Sequence, residues 1–216
     1  MPPKIKICCI SSIEEAHLAI SCGASALGLV SAMPSGPGVL NEDLIAQIIR
    51  SVPPPIATFL LTAQQDADAI IEQQHRCRPN TVQLVDAVAK SELMRLRRAL
   101  PGIALVQVIH VAGPESIDEA CAIAPHVDAV LLDSGNQRLD IKELGGTGRV
   151  HDWSISRVIR ERCGKPVFLA GGLNADNVRT AIADVNPFGL DLCSGVRTEG
   201  KLDELKLRAF FAAARK

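Results

Sequence analysis

The feature that most constrains the fold of this chain is an alternation of short apolar segments with longer amphipathic ones, repeated eight times. Short runs of β-branched and aliphatic residues are typical of buried strands, and longer stretches with helical periodicity are typical of helices. The predicted strands are Lys4–Cys9, Ala26–Val30, Ala57–Leu61, Thr81–Val85, Ile103–His110, Ala129–Asp133, Val167–Gly171 and Gly189–Ser194. Helices are predicted to begin near Ile13, Asn41, Gln64, Lys90, Ser116, Trp153 and Asn174, and a last helix is predicted over Leu202–Ala214.

Strands and helices in regular succession predict βαβ units and a parallel sheet. Eight such units within 216 residues match an α/β fold of one kind, the (β/α)8 or TIM barrel, and we predict a single barrel domain over residues 1–216. The alternative is an open doubly wound sheet, which typically has fewer strands and a Gly-x-Gly-x-x-Gly turn after the first strand. The first turn here is Cys-Ile-Ser-Ser, which favours the barrel.

The composition argues against several classes of function. The chain carries 23 basic and 24 acidic residues without a basic stripe, so we expect no nucleic-acid partner. No apolar run approaches the roughly 18 residues of a membrane-spanning helix, and the N-terminus shows no signal-peptide pattern. The seven cysteines lack a Cys-x-x-Cys spacing, which argues against a disulfide framework and against a zinc site. We therefore expect a soluble cytoplasmic protein with reduced thiols, no membrane contact and no bound metal.

Two adjacent cysteines, Cys8 and Cys9, end the first predicted strand. Alternate residues of a barrel strand face the lumen and the outer helices. Ile5, Ile7 and Cys9 are expected to face the helices, which leaves Lys6 and Cys8 inside the barrel. Active sites of this fold lie at the C-terminal mouth, where Cys8 is placed. We therefore predict that Cys9 fills the core, whereas Cys8 is either a catalytic group or inert packing.

Three further polar side chains are candidates for the site: one lies at the mouth end of its strand, and two are predicted to face the lumen. Asp133 ends a buried apolar strand, where a carboxylate either caps the next loop or acts as an acid. Asp191 alternates with leucines, and because a buried polar group needs a hydrogen bond, it should bind a ligand hydroxyl, a backbone amide or Lys6. Gln83 faces inward by the same alternation.

Two glycine-containing loops indicate a phosphate site. Gly171 and Gly172 follow the seventh strand, and Ser194 and Gly195 follow the eighth. Glycine lets the backbone approach a ligand closely, and the loops after strands seven and eight are the common phosphate site of this fold. A tight turn without a ligand is the alternative for the first pair. A third glycine-rich segment, around Gly146, is placed to close over the same ligand.

Six short motifs lie along the chain: Lys6-Ile-Cys8, Leu131-Leu-Asp133, Gly145–Gly148, Asp152-Trp153, Ala170–Asn174 and Ser194-Gly-Val196. Together, and in this order, they resemble the phosphoribosylanthranilate isomerase family of tryptophan biosynthesis. Ala-Gly-Gly-Leu alone is shared by many phosphate-binding barrels, whereas its combination with the other motifs is more specific. The resemblance implies an Amadori rearrangement of a phosphoribosyl amine, performed without a metal or an organic cofactor.

The resemblance also implies roles for the two candidate catalytic residues. Asp133 would be the general acid that protonates the ribose ring oxygen and opens the furanose to a Schiff base. Cys8 would be the general base that removes the proton from C2′ as a thiolate. The implied partner is a small phosphosugar, and the chain is expected to be a monomer or a homodimer. The further predicted substrate contacts are Lys6, Gln83, Gly146, Asp191 and Arg197.

The sequence departs from the family pattern where the substrate carboxylate is expected. Cys9 stands where the family commonly has glycine, and Gly38 stands where an arginine is expected to hold the carboxylate. Arg197 replaces the glutamate that usually follows Ser-Gly-Val. We predict that Arg197 supplies the missing positive charge from its own loop.

Two other functions stay open on the sequence alone. An epimerase or aldolase acting on another sugar phosphate fits the same barrel, and an aldolase would need a Schiff-base lysine, for which Lys6 is predicted inside. A non-catalytic phosphate-ligand-binding paralogue would keep the loops and lose the chemistry. His110 and His151 lie near the mouth, but loop histidines are more often solvated than catalytic.

Overall fold

The structure, a computed structural model, describes residues 2–34, 36–135 and 150–215. Eight parallel strands close into a barrel in which each strand pairs with the next along the chain and the last pairs with the first. The strands are β1 (Lys4–Ile7), β2 (Ala26–Val30), β3 (Ala57–Thr62), β4 (Thr81–Leu84), β5 (Ala104–His110), β6 (Ala129–Asp133), β7 (Val167–Leu169) and β8 (Gly189–Leu192). The predicted (β/α)8 barrel is confirmed.

Within the described ranges, one α-helix follows each barrel strand before the next begins. The helices are α1 (Ile13–Cys22), α2 (Glu42–Ser51), α3 (Ala67–Cys77), α4 (Lys90–Ala99), α5 (Glu115–Ile123), α6 (Trp153–Arg162), α7 (Val178–Val185) and α8 (Glu204–Ala214). A short antiparallel hairpin, Arg197–Thr198 with Lys201–Leu202, precedes α8. None of the helices in the described part of the chain is both long enough and apolar enough to cross a membrane.

The seventh helix begins later than the predicted start near Asn174. The Asn174 side-chain oxygen accepts hydrogen bonds from the N–H groups of Asp176 and Asn177, at 2.9 and 3.1 Å. These bonds stabilise a turn before the helix, and α7 therefore begins at Val178. Asn174 caps the turn after the glycine loop rather than the helix itself.

Two apolar clusters hold the barrel together. The larger lies between the strands and the outer helices and includes Ile5 and Ile7, as the alternation along β1 predicts. The smaller fills the lumen, with Phe59 and Phe168 in edge-to-face contact at 5.7 Å between ring centroids. Cys8 belongs to this lumen cluster, so its predicted inward direction is confirmed.

The first strand ends at Ile7, two residues before the predicted end. Cys9 adopts a left-handed backbone conformation, with a φ of 60°, and joins the lumen cluster beside Cys8. The prediction that Cys9 faces the helices is therefore wrong, because alternation holds only while the backbone stays extended. β7 and β8 also end early, at Leu169 and Leu192, which places the predicted phosphate glycines in loops at the mouth.

Candidate active site

A buried ion pair joins the first and last strands inside the barrel. Lys6 and Asp191 are register partners, and the Lys6 Nζ lies 2.9 Å from an Asp191 carboxylate oxygen. The Lys6 Nζ also lies 5.2 Å from the centroid of the Phe59 ring. Burial alone would lower the pKa of Lys6, but the charge and hydrogen bond of Asp191, together with the charge interactions of Cys8 and Cys9, outweigh it and raise that pKa. Lys6 is therefore a permanent cation in the lumen, and both partners face inward as predicted.

Cys8 lies beside this cation at the mouth end of β1. A Cβ added to Gly28 would lie 2.8 Å from the Cys8 Sγ and 3.0 Å from the Lys6 Nζ, so glycine leaves the space that the two side chains occupy. Cys8 also contributes to the raised pKa of Lys6 through its charge interaction with the ammonium. The lumen thus holds a thiol and an ammonium together, which favours a working thiol over inert packing.

Asp133 ends β6, and its carboxyl group is buried at the same mouth. Its Oδ1 accepts a hydrogen bond from the Ser134 N–H at 2.7 Å, so the carboxyl group caps the following loop. Burial raises the pKa of Asp133, although the Ser134 N–H, His110 and Lys6 act in the opposite direction. A carboxyl group that keeps its proton to higher pH than usual is suited to be a general acid. The Asp133 carboxyl group can therefore both cap the loop and act as an acid, the two roles that the sequence left as alternatives.

We expect Asp133→Asn to raise the free energy of unfolding at neutral pH by about 0.5–2 kcal/mol. The folded state holds the Asp133 proton more tightly than the unfolded chain. Its contribution to stability is therefore full below the unfolded pKa, about 4, and is lost as the pH rises through the folded pKa. Urea unfolding at about pH 4 and about pH 7 tests this, since the gain should be largest at neutral pH. An equal gain at both pH values would contradict it.

The sequence left His110 undecided, and the structure places it beside Asp133. The two residues are register partners at the ends of β5 and β6. The His110 Nε2 lies 3.0 Å from the Val85 carbonyl oxygen, which only accepts, so in the neutral ring Nε2 carries the proton. Nδ1 is then a buried acceptor that bonds none of the residues described. His110 therefore lies next to Asp133 in the sheet with a buried acceptor atom, a proximity that the pattern along one strand does not reveal.

The two predicted phosphate loops touch each other at the mouth. Gly171 and Gly172 have φ angles of 85° and 63°, in a left-handed region that glycine enters without strain. Ser194 and Gly195 begin a short 3-10 turn. A Cβ added to Gly195 would lie 2.0 Å from the Leu173 carbonyl oxygen, so the loops meet backbone to backbone. This geometry suits an anion site built from main-chain groups, and phosphate binding here stays a prediction.

We expect Gly195→Ala to raise the KM for a phosphorylated substrate about tenfold and to cost about 1–3 kcal/mol of stability, because the two loops must separate. Steady-state kinetics and urea unfolding measure the two effects. Gly200→Ala is the matched control: an added Cβ there meets nothing within 4 Å, and its φ of 78° costs only the strain of a left-handed alanine, about 1–2 kcal/mol. An unchanged KM in Gly195→Ala would argue against a ligand at this loop.

Arg197 has different partners from those predicted. Its guanidinium pairs with the Glu15 carboxylate, with Nη1 3.0 Å from Oε1, and donates to the carbonyl oxygens of Cys8, Cys9 and Gly200. The Arg197 side chain is only 9% exposed. Its charge is thus neutralised within the protein, and the geometry argues against the prediction that Arg197 replaces the missing substrate-binding charge. Instead, Arg197, in the loop after β8, holds the loop after β1 through its hydrogen bonds to the Cys8 and Cys9 carbonyl oxygens.

Gly38 packs directly against Cys9. A Cβ added to Gly38 would lie 2.7 Å from the Cys9 Cβ and 3.1 Å from the Cys9 Cα, and Gly38 itself has a φ of 79°. A larger residue at position 38 would therefore require Cys9 to move. The two departures from the family pattern belong together, because the missing side chain of Gly38 leaves the room that the Cys9 side chain occupies.

The remaining predicted residues have different outcomes. Gln83 is buried in the lumen, as predicted, and its Oε1 accepts no hydrogen bond from the described residues. His151 bonds the Ser156 Oγ at 2.7 Å, and burial lowers its pKa to about 4. Gly146 lies outside the described residues. Across the three described ranges, no group of three or more His, Cys, Asp or Glu residues is arranged to hold a metal ion.

Sequence comparison matches residues 5–213 to the family described as N-(5′-phosphoribosyl)anthranilate (PRA) isomerase. A protein of this name from Methanosarcina mazei, N-(5′-phosphoribosyl)anthranilate isomerase 2, is 37% identical over 214 residues. That alignment covers 98% of this chain and 94% of the relative.

Solved structures give the same result. Phosphoribosyl anthranilate isomerase from Thermotoga maritima superposes with a TM-score of 0.85 at 26% identity, over 99% of this chain and 98% of that one. An isomerase in complex with reduced 1-(o-carboxyphenylamino)-1-deoxyribulose 5-phosphate superposes with a TM-score of 0.82 at 25% identity, over 99% and 98% of the two chains. The Thermotoga maritima enzyme is also described as dimeric. This chain therefore belongs to the N-(5′-phosphoribosyl)anthranilate isomerase family, the isomerases of tryptophan biosynthesis.

Proposed function

We propose that this protein isomerises N-(5′-phosphoribosyl)anthranilate, an aminoaldose, to the corresponding aminoketose, with Asp133 as the acid and Cys8 as the base. The observation that carries the proposal is the mouth of the barrel, where a buried carboxyl group at the end of β6 and a buried thiol directly after β1 lie at one lumen. Substrate and product have the same atoms, so the reaction needs proton transfers and no redox cofactor.

The first step assigns the acid to Asp133. Its proton passes to the ring oxygen of the ribose, the bond from that oxygen to C1′ breaks, and the nitrogen lone pair forms the Schiff base. Burial raises the pKa of Asp133, which keeps the proton available for this transfer. His110, the register partner of Asp133, adds a second polar side chain next to that carboxyl group.

The second step assigns the base to Cys8. Its thiolate removes the proton from C2′, and the electrons of that bond neutralise the iminium nitrogen and leave an enol that becomes the ketone. Lys6 stays protonated beside Cys8 because Asp191 holds it as a cation. A fixed ammonium in the lumen favours the negative charge that this step requires.

We further propose that the substrate phosphate binds the main-chain N–H groups of the two loops after β7 and β8. Gly171, Gly172, Ser194 and Gly195 supply that backbone, and Gln83 offers the ribose a buried amide oxygen that accepts no hydrogen bond from the described residues. The protein is proposed to act as a monomer or homodimer in the cytoplasm, where its free thiols stay reduced.

The position of Lys6 disfavours the aldolase alternative. A Schiff-base lysine must lose its proton before it attacks a carbonyl group. Lys6 has a raised pKa and is held by Asp191 at 2.9 Å, so it is neither neutral nor free to move. No comparable observation favours the non-catalytic paralogue.

Turnover of freshly prepared N-(5′-phosphoribosyl)anthranilate tests the proposed function directly. The reaction is followed by the loss of anthranilate-type fluorescence, and the wild-type protein is expected to consume the substrate catalytically. If phosphate ligands bind but the substrate is not consumed, the chain is a phosphate-ligand-binding paralogue and the proposed chemistry is wrong.

A further inference from the structure

The mouth of the barrel holds a pair of thiols that the proposed mechanism does not use. Cys9, in the loop after β1, and Cys193, in the loop after β8, share a hydrogen bond with their sulfur atoms 2.8 Å apart. They are 184 residues apart in the sequence and are both free. Cys9 is buried, whereas Cys193 is partly exposed and open to small solutes.

Rigid backbone contacts hold both thiols in place. Gly38 lies against the Cys9 Cβ, and the Cys9 carbonyl oxygen accepts from the Arg197 guanidinium. On the other side, Gly195, two residues after Cys193, packs against the Leu173 carbonyl oxygen so closely that an added Cβ would lie 2.0 Å from it. These contacts keep the two sulfur atoms close together.

The contact also makes the two thiols chemically unequal. The shared hydrogen bond lowers the pKa of Cys193 and, together with burial, raises the pKa of Cys9. The positive charge of Arg197 acts in the same direction on Cys193. A partly exposed thiol of lowered pKa next to a buried thiol of raised pKa is the usual arrangement of an oxidant-sensitive cysteine and its resolving partner.

We propose that Cys9 and Cys193 form a reversible disulfide, a modification site that joins the loop of the catalytic thiol to the phosphate loop. The oxidant is a peroxide. The Cys193 thiolate attacks one peroxide oxygen, the O–O bond breaks, and a sulfenic acid forms with release of hydroxide, which takes up a proton. The Cys9 sulfur then attacks the Cys193 sulfur, water leaves, and the S–S bond forms. Two thiols and one hydrogen peroxide thus give one disulfide and two waters, and a dithiol reverses the change.

The disulfide is expected to lower turnover because both of its ends adjoin the active site. Cys9 is bonded directly to Cys8, and Cys193 is bonded directly to Ser194. An S–S bond of about 2.05 Å would draw the two loops closer than their present 2.8 Å contact. This coupling to catalysis rests on the proposed function, whereas formation of the cross-link does not.

To test this, the full-length protein is treated with hydrogen peroxide, the oxidant is removed and the remaining thiols are blocked. The protein is then digested with trypsin. Cys8, Cys9 and Cys22 lie together in the tryptic peptide 7–50, whereas Cys193 is alone in the peptide 180–197. We expect a cross-link between these two peptides that dithiothreitol removes, with the loss of two of the seven titratable thiols. Cys8→Ala and the matched control Cys22→Ser should keep the cross-link, and Cys9→Ser and Cys193→Ser should lose it.

Absence of the cross-link in oxidised wild type, or its persistence in Cys9→Ser, would overturn the proposal. For the coupling to catalysis, oxidised wild type should lose at least about tenfold in kcat/KM and recover with dithiothreitol. A cross-linked enzyme with full turnover would overturn that coupling. If the protein does not turn over the substrate even when reduced, the proposed function is wrong. The cross-link is still tested independently, because it is detected by mass spectrometry of the peptides.

Discussion

Cys8→Ala and Asp133→Asn are each expected to lower kcat/KM for N-(5′-phosphoribosyl)anthranilate by about 10²- to 10⁴-fold, the usual contribution of a general acid or base. Alanine at position 8 leaves no group to take the C2′ proton, and asparagine at position 133 has no acidic proton to give to the ring oxygen. The measurement is the loss of substrate fluorescence at matched enzyme concentration. The effect should appear mainly in kcat, because both groups act in the chemical steps.

The controls separate lost chemistry from lost structure. Asp133→Asn is expected to be more stable than wild type at neutral pH, so its inactivity would not reflect unfolding. Cys77→Ala removes another buried cysteine, at the C-terminal end of α3 and in the core between strands and helices, and should keep wild-type kcat/KM. If Cys8→Ala keeps more than about a tenth of wild-type activity, Cys8 is not the base. The same result for Asp133→Asn would exclude it as the acid.

The sequence predicted the parts of the site that depend on one strand at a time. The alternation along β1 and β8 placed Lys6 and Asp191 in the lumen, since extended backbone alone decides which way their side chains point. The same rule placed Asp133 at the mouth end of β6. These predictions succeeded because they needed only the period of a strand and the end at which it stops.

Features that depend on contacts between distant segments could not be predicted from the sequence. The backbone of Cys9 is left-handed, which ends the strand. This conformation is typical of glycine, so a cysteine at this position does not predict it. Arg197 was predicted to serve the substrate, but a glutamate 182 residues away neutralises it. The proximity of His110 to Asp133 depends on the register of β5 against β6, which no pattern within β5 encodes. Each case requires knowing which loop lies against which.

Lys6→Met is expected to cost about 3–5 kcal/mol of unfolding free energy, because it leaves the Asp191 carboxylate buried without its partner. The Lys6 side chain is 0% exposed and that of Asp191 is 8% exposed, so water does little to compensate. Urea unfolding monitored by circular dichroism measures the loss as a lower midpoint. Since the pKa of Lys6 is raised and its unfolded value is about 10.4, the ammonium contribution is complete throughout the neutral range. The loss should therefore be similar at about pH 6 and about pH 8.

A double-mutant cycle shows whether the loss of stability in Lys6→Met comes from the unpaired charge of Asp191. Lys6→Met with Asp191→Leu removes both charges and should recover most of the stability lost in either single variant, because a well-packed apolar pair often replaces a buried ion pair at little cost. The matched control is Arg208→Met, which breaks an ion pair with Glu204 whose side chains are 61% and 52% exposed. That variant should lose no more than about 1 kcal/mol. If Lys6→Met proves as mild as Arg208→Met, the buried pair does not hold β1 to β8, and the fixed cation beside Cys8 loses its structural basis.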